Sequence, residues 1–375
     1  MTASLTSPRY EVDGYDDAVE YAYGTGWSDG LPVVPPTVAK VAEFLEVNGL
    51  EPDQVIAEIT ERDKVITAEK LAINAVMAGC RPEYLPVVAT ALDAMSDKRY
   101  KFNHLASLGS PWPLMIVNGP IAREIGLYSG MYLFGPGNRP NLTIARALSL
   151  VLRNCAGAKI EDIQRGQWGN AIRLVGCIAE NEDTAWEPLH VQRGFQREDS
   201  AVTVVSTYPG SPAHVTVNLN GEKPTRILNA ACHAITNWGG AQWTRGMYTL
   251  LVGPHMIEMF DREGWTKQHV RDYVIENTTA TVADLKFRGA WGKFRADADE
   301  DMLAIEPGDE DVRLHLFKHN PGYDEFIFLH SAIDDRDLDV MVVAAGGDAG
   351  ARLQITIPYQ VSTNAVTRKV RIGRH

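Results

Sequence analysis

The amino-acid sequence predicts an α/β protein with two related α/β halves, in which mixed sheets are flanked by helices. Short apolar runs of strand length alternate with amphipathic segments of helical period along most of the 375 residues. At residues 115–124 and 250–258 an apolar run leads into Gly-Pro and a helical segment, which indicates internal duplication. We expect one half over residues 1–195, carrying most of the site, and a second over residues 196–375.

In the first half, helix boundaries follow from capping residues and strands follow from apolar runs. Thr37 and Thr67 suit helix N-caps, Gly79 suits a helix C-terminus, and Pro82 suits the first helical position. Asn141 is expected to cap a long helix. The predicted helices cover residues 16–23, 37–47, 67–78 and 82–95, with two more after Pro120 and Asn141. The predicted strands cover residues 55–59, 114–117, 172–178 and 202–206.

The second half repeats this alternation. Thr225 and Thr266 are expected to cap helices that end near residues 238 and 277. Strands are predicted over residues 248–252, 325–329 and 340–344. The acidic stretch 297–311 has few apolar residues and predicts a surface loop.

Composition and charge narrow the class of protein. The chain is 45% hydrophobic and 22% charged, which is typical of globular proteins, and its net charge of −12 argues against a nucleic-acid partner. No apolar run approaches the ~20 residues that cross a bilayer. The first residues have neither the basic start nor the apolar core of a signal peptide. We therefore expect a cytoplasmic protein that does not bind membranes.

Residues 27–36 form the most distinctive segment, with three prolines, one glycine and the carboxylate of Asp29. Proline fixes φ and removes a backbone donor, so the segment predicts a rigid extended loop rather than a helix or central strand. Rigid loops that carry a carboxylate are common beside active sites, which makes Asp29 a candidate substrate-binding residue. The alternative is a proline-rich connection into the helix after Thr37.

The four cysteines are far apart, and none belongs to a Cys-x-x-Cys pair. Cys155, Cys177 and Cys232 lie in apolar surroundings and are expected to be buried. Cys80 precedes Arg81-Pro82 at the predicted start of a helix, where the helix N-terminus and Arg81 would lower the thiol pKa. Cys80 is therefore a candidate nucleophile, and the alternative is a small residue packed at a tight corner.

Acidic and imidazole side chains cluster after the predicted strand 172–178, at the position where open α/β sheets place their sites. Glu182 and His190 are candidates for general acid and base, and substrate contacts are expected from Glu180, Trp186 and Glu187. The Glu187-x-x-His190 spacing leaves a divalent metal open, although Pro188 interrupts it. The alternative is a solvated loop whose histidine is held by a hydrogen bond.

Two further turns offer groups that suit a substrate. Asn118 follows a predicted strand, and Asn138 and Arg139 lie in a Gly-Pro-rich loop before a helix, where free N–H groups favour an anion. The loop matches neither a P-loop nor a dinucleotide fingerprint, and no Gly-x-Ser-x-Gly elbow is present. No nucleotide cofactor is therefore expected, and a plain structural loop is the alternative.

Several of these segments resemble a little-characterised bacterial family associated with UGSC-type proteins, in which selenocysteine or cysteine precedes Gly-Ser-Cys. The similar segments are SDGLPVVPPT at residues 28–37, AINAVMAGCRPEY at 72–84 and WEPLHV at 186–191, with shorter matches between residues 27 and 345. The chain lacks the Cys-Gly-Ser-Cys-type motif itself. The resemblance therefore implies that the reactive Cys or Sec belongs to a partner chain.

Together these features predict an enzyme or enzyme subunit that acts on a small polar organic molecule. Hydrolytic, hydration or elimination chemistry is expected, with a thiol and acid/base residues and without a nucleotide cofactor. One alternative is a non-catalytic or half-site subunit that shapes the pocket for a partner's Cys or Sec, and another is a metal-dependent hydrolase or lyase. The expected partners are the substrate and either copies of this chain or a Cys/Sec-containing protein.

Overall fold

The computed structural model describes residues 5–106, 109–160, 162–166, 169–208, 213–216, 223–237, 246–292, 301–327, 339–347, 352–358 and 365–371. The chain divides into two compact units. The first comprises Met1–Glu180, Pro188–Pro209 and Ala365–His375, and the second comprises Asn181–Glu187 and Gly210–Asn364. Both units combine helices with a mixed sheet, which confirms the predicted α/β class. The division differs from the expected boundary between residues 195 and 196.

The first unit is built around a sheet in the order β12-β5-β3-β4. The strand β3 is parallel to β4 and antiparallel to β5, and β5 is antiparallel to β12. Every residue of β3 is buried. The elements are α1 (Tyr15–Gly24), α2 (Val38–Val47), β1 (Val55–Ile59), β2 (Lys64–Thr67), α3 (Ala68–Ala78), α4 (Leu85–Met95), β3 (Trp112–Asn118), α5 (Pro120–Glu124), α6 (Arg139–Cys155), α7 (Ile172–Val175), β4 (Cys177–Ala179), α8 (Leu189–Gln192), β5 (Ala201–Thr207) and β12 (Val366–Lys369).

The second unit is built around a sheet in the order β10-β7-β11-β6. The strand β7 is parallel to β10 and antiparallel to β11, and β11 is antiparallel to β6. The elements are β6 (Ala213–Thr216), α9 (Pro224–Asn237), β7 (Met247–Val252), α10 (Pro254–Arg262), α11 (Lys267–Asn277), β8 (Thr279–Thr281), α12 (Val282–Phe287), β9 (Arg313–His315), α13 (Asp324–Ile327), β10 (Asp339–Ala344) and β11 (Arg352–Thr356).

The two larger sheets repeat one arrangement. In each, a central strand that leads into Gly-Pro and a helix, β3 or β7, has a parallel partner on one side and an antiparallel partner on the other. The helix that precedes the central strand, α4 or α9, packs against the antiparallel side of its sheet. This repetition agrees with the prediction of two related halves.

The strands of the two larger sheets follow one another as two sets along the chain, β3 to β6 and then β7 with β10 to β12. The strand β6 follows β5 in sequence but pairs with β11, whereas β12 follows β11 in sequence but pairs with β5. The outer antiparallel strand of each sheet is therefore exchanged between the two sets. This exchange explains why the division into units does not fall at one point in the chain.

Local capping chemistry confirms most helix boundaries. The side chains of Thr37, Thr67 and Thr266 each accept a hydrogen bond from the backbone N–H three residues later. Gly79 ends α3 in the left-handed conformation with φ of 86°, which glycine adopts without steric cost. These ends are specified by neighbouring residues, so they could be predicted from the sequence.

Two predicted caps are wrong by a few residues. The cap of α6 is Asn138, whose Oδ1 accepts from the backbone N–H of Asn141 at 3.1 Å. Asn141 lies inside the helix and bonds the backbone N–H and C=O of Tyr128 instead. Thr225 lies inside α9, which begins at Pro224. In α6 a proline follows the cap within the first turn, and in α9 a proline is the first residue, because proline there costs no intrahelical hydrogen bond.

Two predicted strands are wrong for a different reason. Residues 172–175 form α7, and the Oδ1 of Asn170 accepts from the backbone N–H of Ile172 at 3.1 Å, so strand β4 begins only after Gly176. Residues 324–327 form α13, where Phe326 stacks on Trp291 with ring centroids 4.9 Å apart. Residues 328 and 329 lie outside the described residues. Short apolar runs do not distinguish a strand from a buried helical turn.

The remaining expectations concern the surface of the chain. Residues 301–311 of the predicted acidic loop are mostly exposed and contain only one 3₁₀ turn, Asp301–Leu303, while residues 297–300 lie outside the described part. Among the helices of the described ranges, none combines the length and apolar character that crossing a bilayer requires.

The exchanged strand gives a testable prediction. Val366 on β12 is 1% exposed and pairs with Val204 of β5, so Val366→Ala should lower the free energy of unfolding by about 2 kcal/mol. Hydrogen exchange should rise in β5 and stay unchanged in β11. Val65→Ala, on β2 and 46% exposed, is the control that should leave exchange unchanged. Faster exchange in β11 instead of β5 would contradict the exchange of strands.

Candidate functional site

The parallel strands β3 and β4 end beside each other, and a buried carboxylate joins the segments that follow them. The Oε2 of Glu180 accepts from the Nδ2 of Asn118 and from the backbone N–H of Leu189, both at 2.6 Å. Asn118 is fully buried, and Glu180 is 5% exposed. Two candidate substrate-binding residues, Asn118 and Glu180, therefore bond each other, and this contact links β3, β4 and α8 inside the first unit.

His190 lies on α8 and is fully buried. Its Nε2 is 3.3 Å from the carbonyl oxygen of Arg197, so the ring spans the turn that follows the helix. The alternative interpretation was a solvated loop whose histidine is held by a hydrogen bond; the hydrogen bond is present, but the ring is buried and not solvated. An acid or base has to reach its substrate, and here the ring is enclosed by protein.

The other members of the predicted acid/base segment belong to the second unit. Trp186 is 4% exposed, donates from Nε1 to the carbonyl oxygen of Trp265 at 2.9 Å, and stacks on Phe260. Glu187 is exposed, and Glu182 is partly exposed. Trp186 therefore contributes to the core of the second unit, and a role for Glu182 and Glu187 in binding stays a prediction.

Cys80 does not have the environment that the sequence predicted. The thiol is 7% exposed, and its Sγ donates to the carbonyl oxygen of Thr143 at 3.3 Å. Burial raises the pKa of Cys80 to about 12, although the hydrogen bond to Thr143 and the charges of Arg139 and Arg146 oppose the rise. The expectation of a lowered pKa is wrong, because the residues from Pro82 form a 3₁₀ turn and the thiol faces α6.

Asn138 and Arg139 connect the start of α6 to neighbouring segments, Asn138 to the turn after α5 and Arg139 to the end of α3. Asn138 caps α6 and donates from Nδ2 to the carbonyl oxygen of Gly126 at 3.2 Å. The guanidinium of Arg139 donates to the carbonyl oxygen of Gly79 at 2.9 and 3.1 Å. A cation at the carbonyl end of α3 is favourable electrostatically. Both side chains therefore hold the fold together, and substrate binding by either stays a prediction.

Asp29 fastens the proline-rich loop to α6. Its two carboxylate oxygens accept from the Nε and Nη2 of Arg146 at 2.9 and 2.8 Å, and Arg146 also donates to the carbonyl oxygens of Leu31 and Pro32. Burial acts to raise the pKa of Asp29, but the hydrogen bond and charge of Arg146 outweigh it and hold the pKa below its ordinary value. We name this pair the loop latch.

Further hydrogen bonds hold the loop against α3 and α6. The backbone N–H of Val34 donates to the carbonyl oxygen of Met77 at 3.1 Å. Arg153 donates to the carbonyl oxygen of Gly26 at 3.2 Å, and Asn154 donates to that of Trp27 at 3.0 Å. The loop is therefore ordered and non-helical, as its prolines predict, and it presents Trp27 to the cavity described next.

A large cavity in the first unit lies among the N-terminal segment, α1, α2, α3 and the C-terminal end of α6. Its volume is 1110 Å³. We name it the arm cleft, and the arm is the segment from Leu5 to Gly14 along one wall. Trp27, Pro35 and Pro36 line it, but Cys80, Asn118, Arg139 and His190 do not. None of the candidate site residues named from the sequence lines this cavity, although the proline-rich loop does.

Aromatic rings form one wall of the arm cleft. Tyr10 lies 5.3 Å from Tyr21 and 5.4 Å from Trp27, and Tyr21 lies 5.6 Å from Trp27, measured between ring centroids. Tyr10 is 52% exposed and Tyr15 is 61% exposed. Partly exposed aromatic side chains that line a concave surface are typical of binding sites for organic molecules.

Polar groups from α3 and α6 meet at another part of the cleft. The Nδ2 of Asn154 donates to the Oδ1 of Asn74 at 2.8 Å, and the Nδ2 of Asn74 lies 3.6 Å from the Sγ of Cys155. Cys155 is half-buried, not fully buried as expected. Burial raises the pKa of Cys155, and the charge of Lys70 and the hydrogen bond from Asn74 oppose the rise.

The cleft is rich in positive charge. Arg9, Lys40, Lys64, Lys70 and Lys159 line it, against the carboxylates of Asp63 and Glu69. With the residues that the structure describes, these five cations form no ion pair. The local excess of positive charge contrasts with the net charge of −12 of the whole chain.

Glu69 anchors the arm over the cleft. Its Oε2 accepts from the backbone N–H and the hydroxyl of Thr6, and its Oε1 accepts from the backbone N–H of Ser7, all at 2.9 Å. Burial acts to raise the pKa of Glu69, but these hydrogen bonds outweigh it and keep the pKa low. The Glu69 carboxylate is therefore engaged by the arm itself.

The sequence contains one signal for this site, which lies on α3. Lys70, Ile73, Asn74 and Met77 recur at helical spacing and line the cleft from one face of α3. A lysine and an asparagine on an otherwise apolar helix face are unusual for a core helix. The contribution of Tyr10 and Cys155 has no such signal, because distant segments bring them to the cleft.

Across the described part of the chain, no group of three or more His, Cys, Asp or Glu side chains has a metal-binding arrangement.

The thiols give a testable prediction. Cys155 is half-buried, whereas Cys80, Cys177 and Cys232 are buried. Native-state labelling with iodoacetamide at pH 8, followed by mass spectrometry, should therefore modify Cys155 at least tenfold faster than the others. The same reaction in urea is the control, in which the four rates should become similar. Faster labelling of Cys80 would restore the hypothesis of an activated thiol at that position.

The chain was compared with protein-family models, curated proteins and solved structures, and none of them matches. A function for this protein therefore has to be inferred from its own residues and from the geometry of the arm cleft.

Proposed function

We propose that this chain is an enzyme or enzyme subunit that acts on a small organic molecule bound in the arm cleft. The observation that supports the proposal is the 1110 Å³ cavity, in which exposed aromatic rings, an excess of cations over carboxylates and a thiol occur together. Small-molecule sites combine apolar walls with a few placed polar groups, as this cleft does. The sites expected at Cys80 and His190 are, in contrast, filled by protein.

The groups in the cleft suit the reaction classes expected from the sequence. The amides of Asn74 and Asn154 can orient a polar group of a substrate, and Lys70 can stabilise negative charge that develops during the reaction. Cys155 is the thiol in the cleft, so it replaces Cys80 as the candidate for thiol chemistry. Hydrolytic, hydration or elimination chemistry stays the expected class.

Blocking the cleft tests this proposal. Ile73 lines the cavity from α3, so Ile73→Trp should fill part of it and weaken binding of small organic molecules at least tenfold. Binding can be measured by thermal-shift screening of a small-molecule library and then by calorimetry. Val47→Trp, at a position on α2 that is 53% exposed and outside the cleft, is the matched control. Compounds that bind both variants equally would place the site elsewhere.

A second candidate function is a half-site subunit that shapes a pocket for the reactive Cys or Sec of a partner chain. The observation that favours it is that burial raises the pKa of all four thiols, Cys80, Cys155, Cys177 and Cys232. Thiolates are the reactive form, so a raised pKa makes each of these cysteines a weak nucleophile near neutral pH. A partner would then supply the activated group that this chain lacks.

Assays with and without the partner distinguish the two candidates. A half-site subunit should turn over substrate only after a UGSC-type partner is added, and Cys155→Ser should keep that activity within about twofold. An enzyme that uses its own thiol should be active alone, and Cys155→Ser should abolish the activity. Activity of the isolated chain that survives Cys155→Ser would contradict both thiol hypotheses.

A further inference from the structure

We propose that the ligand of the arm cleft is an amphipathic acid, an elongated apolar molecule that ends in a carboxylate or a phosphate. This inference rests on the proposed function and adds the chemical class of the molecule. The apolar part would contact the aromatic wall of Tyr10, Tyr21 and Trp27, and the anionic end would be bound by the lysines that line the cleft.

The charge of the cleft favours an anionic ligand. Five cations and two carboxylates line the cleft, which leaves a local excess of three positive charges, and the carboxylate oxygens of Glu69 are already occupied by Thr6 and Ser7. Clustered cations repel one another, and a bound anion relieves this repulsion. In a chain of net charge −12, this local excess of positive charge, whose cations form no ion pair with the described residues, selects against a cationic ligand.

The exposed apolar side chains of the cleft favour a ligand with an apolar part. Val12 is 41% exposed, and Tyr10 and Tyr15 are more than half exposed, although all three line a concave surface. Exposed apolar surface of this kind marks an interaction site, because covering it removes apolar area from water. A small inorganic anion would leave these side chains uncovered, so charge alone does not describe the ligand.

The volume of the cavity favours an elongated ligand. Typical small-molecule pockets measure roughly 300–1,000 Å³. The arm cleft, at 1110 Å³, exceeds that range and extends from the arm past α2 and α3 to the end of α6. An elongated ligand fills such a space, whereas a compact polar metabolite leaves most of it to water. The inferred ligand is therefore larger and more apolar than the small polar substrate expected from the sequence.

Three probes with the same chain length separate the contribution of the anionic end to binding from that of the apolar chain. Decanoate and decyl phosphate carry the anionic end, and decanol has the same apolar chain without charge. Calorimetry on the full chain at low salt should show both acids binding at least tenfold more tightly than decanol. The preference should shrink at high salt, because salt screens exposed charges.

Variants locate the anionic end. The double variant Lys70→Gln with Lys159→Gln should weaken decanoate about five- to tenfold, the effect of two exposed charge contacts, and should leave decanol unchanged. Lys98→Gln is the matched control, because Lys98 is exposed in the same unit but does not line the cleft. Ile73→Trp should weaken all three probes.

The outcomes are distinguishable. If Ile73→Trp leaves the affinity of every small molecule that binds unchanged, the proposed function of the cleft fails. If none of the three probes binds but Ile73→Trp weakens binding of compounds from the library, the proposed function holds and the inferred acid is wrong. If decanol binds as tightly as decanoate and the lysine variants have no effect, the cleft binds small molecules but the inferred acid is wrong. Binding to vesicles of anionic lipid without binding of any monomeric probe would overturn the inference in favour of a membrane surface.

Discussion

The ion pair between Asp29 and Arg146 is the contact on which the architecture of the candidate site depends. It fastens the proline-rich loop to α6 through two charge-assisted hydrogen bonds, while the same guanidinium holds two loop carbonyls. The loop in turn supplies Trp27, Pro35 and Pro36 to the arm cleft. A carboxylate that looked like a substrate ligand in the sequence thus supports the wall of a different site.

Burial decides which thiol is available for chemistry. Cys80 contacts the long helix α6, and Cys155 is the last residue of that helix. The thiol of Cys80 faces a backbone carbonyl of α6, whereas Cys155 lines the cleft. Removing a thiol from water disfavours the thiolate, and nearby arginines do not compensate at Cys80. Sequence position beside a proline therefore says little about reactivity when the side chain turns into the core.

The exchange of outer strands has consequences for folding. The first unit's sheet is complete only when β12, at the C-terminal end of the described chain, pairs with β5 more than 150 residues earlier. Such long-range pairing closes a large loop, which slows folding because the entropy cost precedes the gain in contacts. The same exchange ties the beginning and the end of the chain into one unit.

By itself, the sequence determined the α/β class, most helix ends and the positions of the strands β1, β3, β5, β7 and β10. Helix ends could be predicted because caps such as Thr37 and Gly79 act on their own neighbours. It did not determine α7 or α13, where side-chain contacts convert short apolar runs into helical turns. Of the arm cleft, the sequence identified only the loop around Trp27. The tertiary structure alone decided the strand exchange, the burial of Cys80 and the arm cleft, because Tyr10, Asn74 and Cys155 are brought together by contacts between segments distant in the chain.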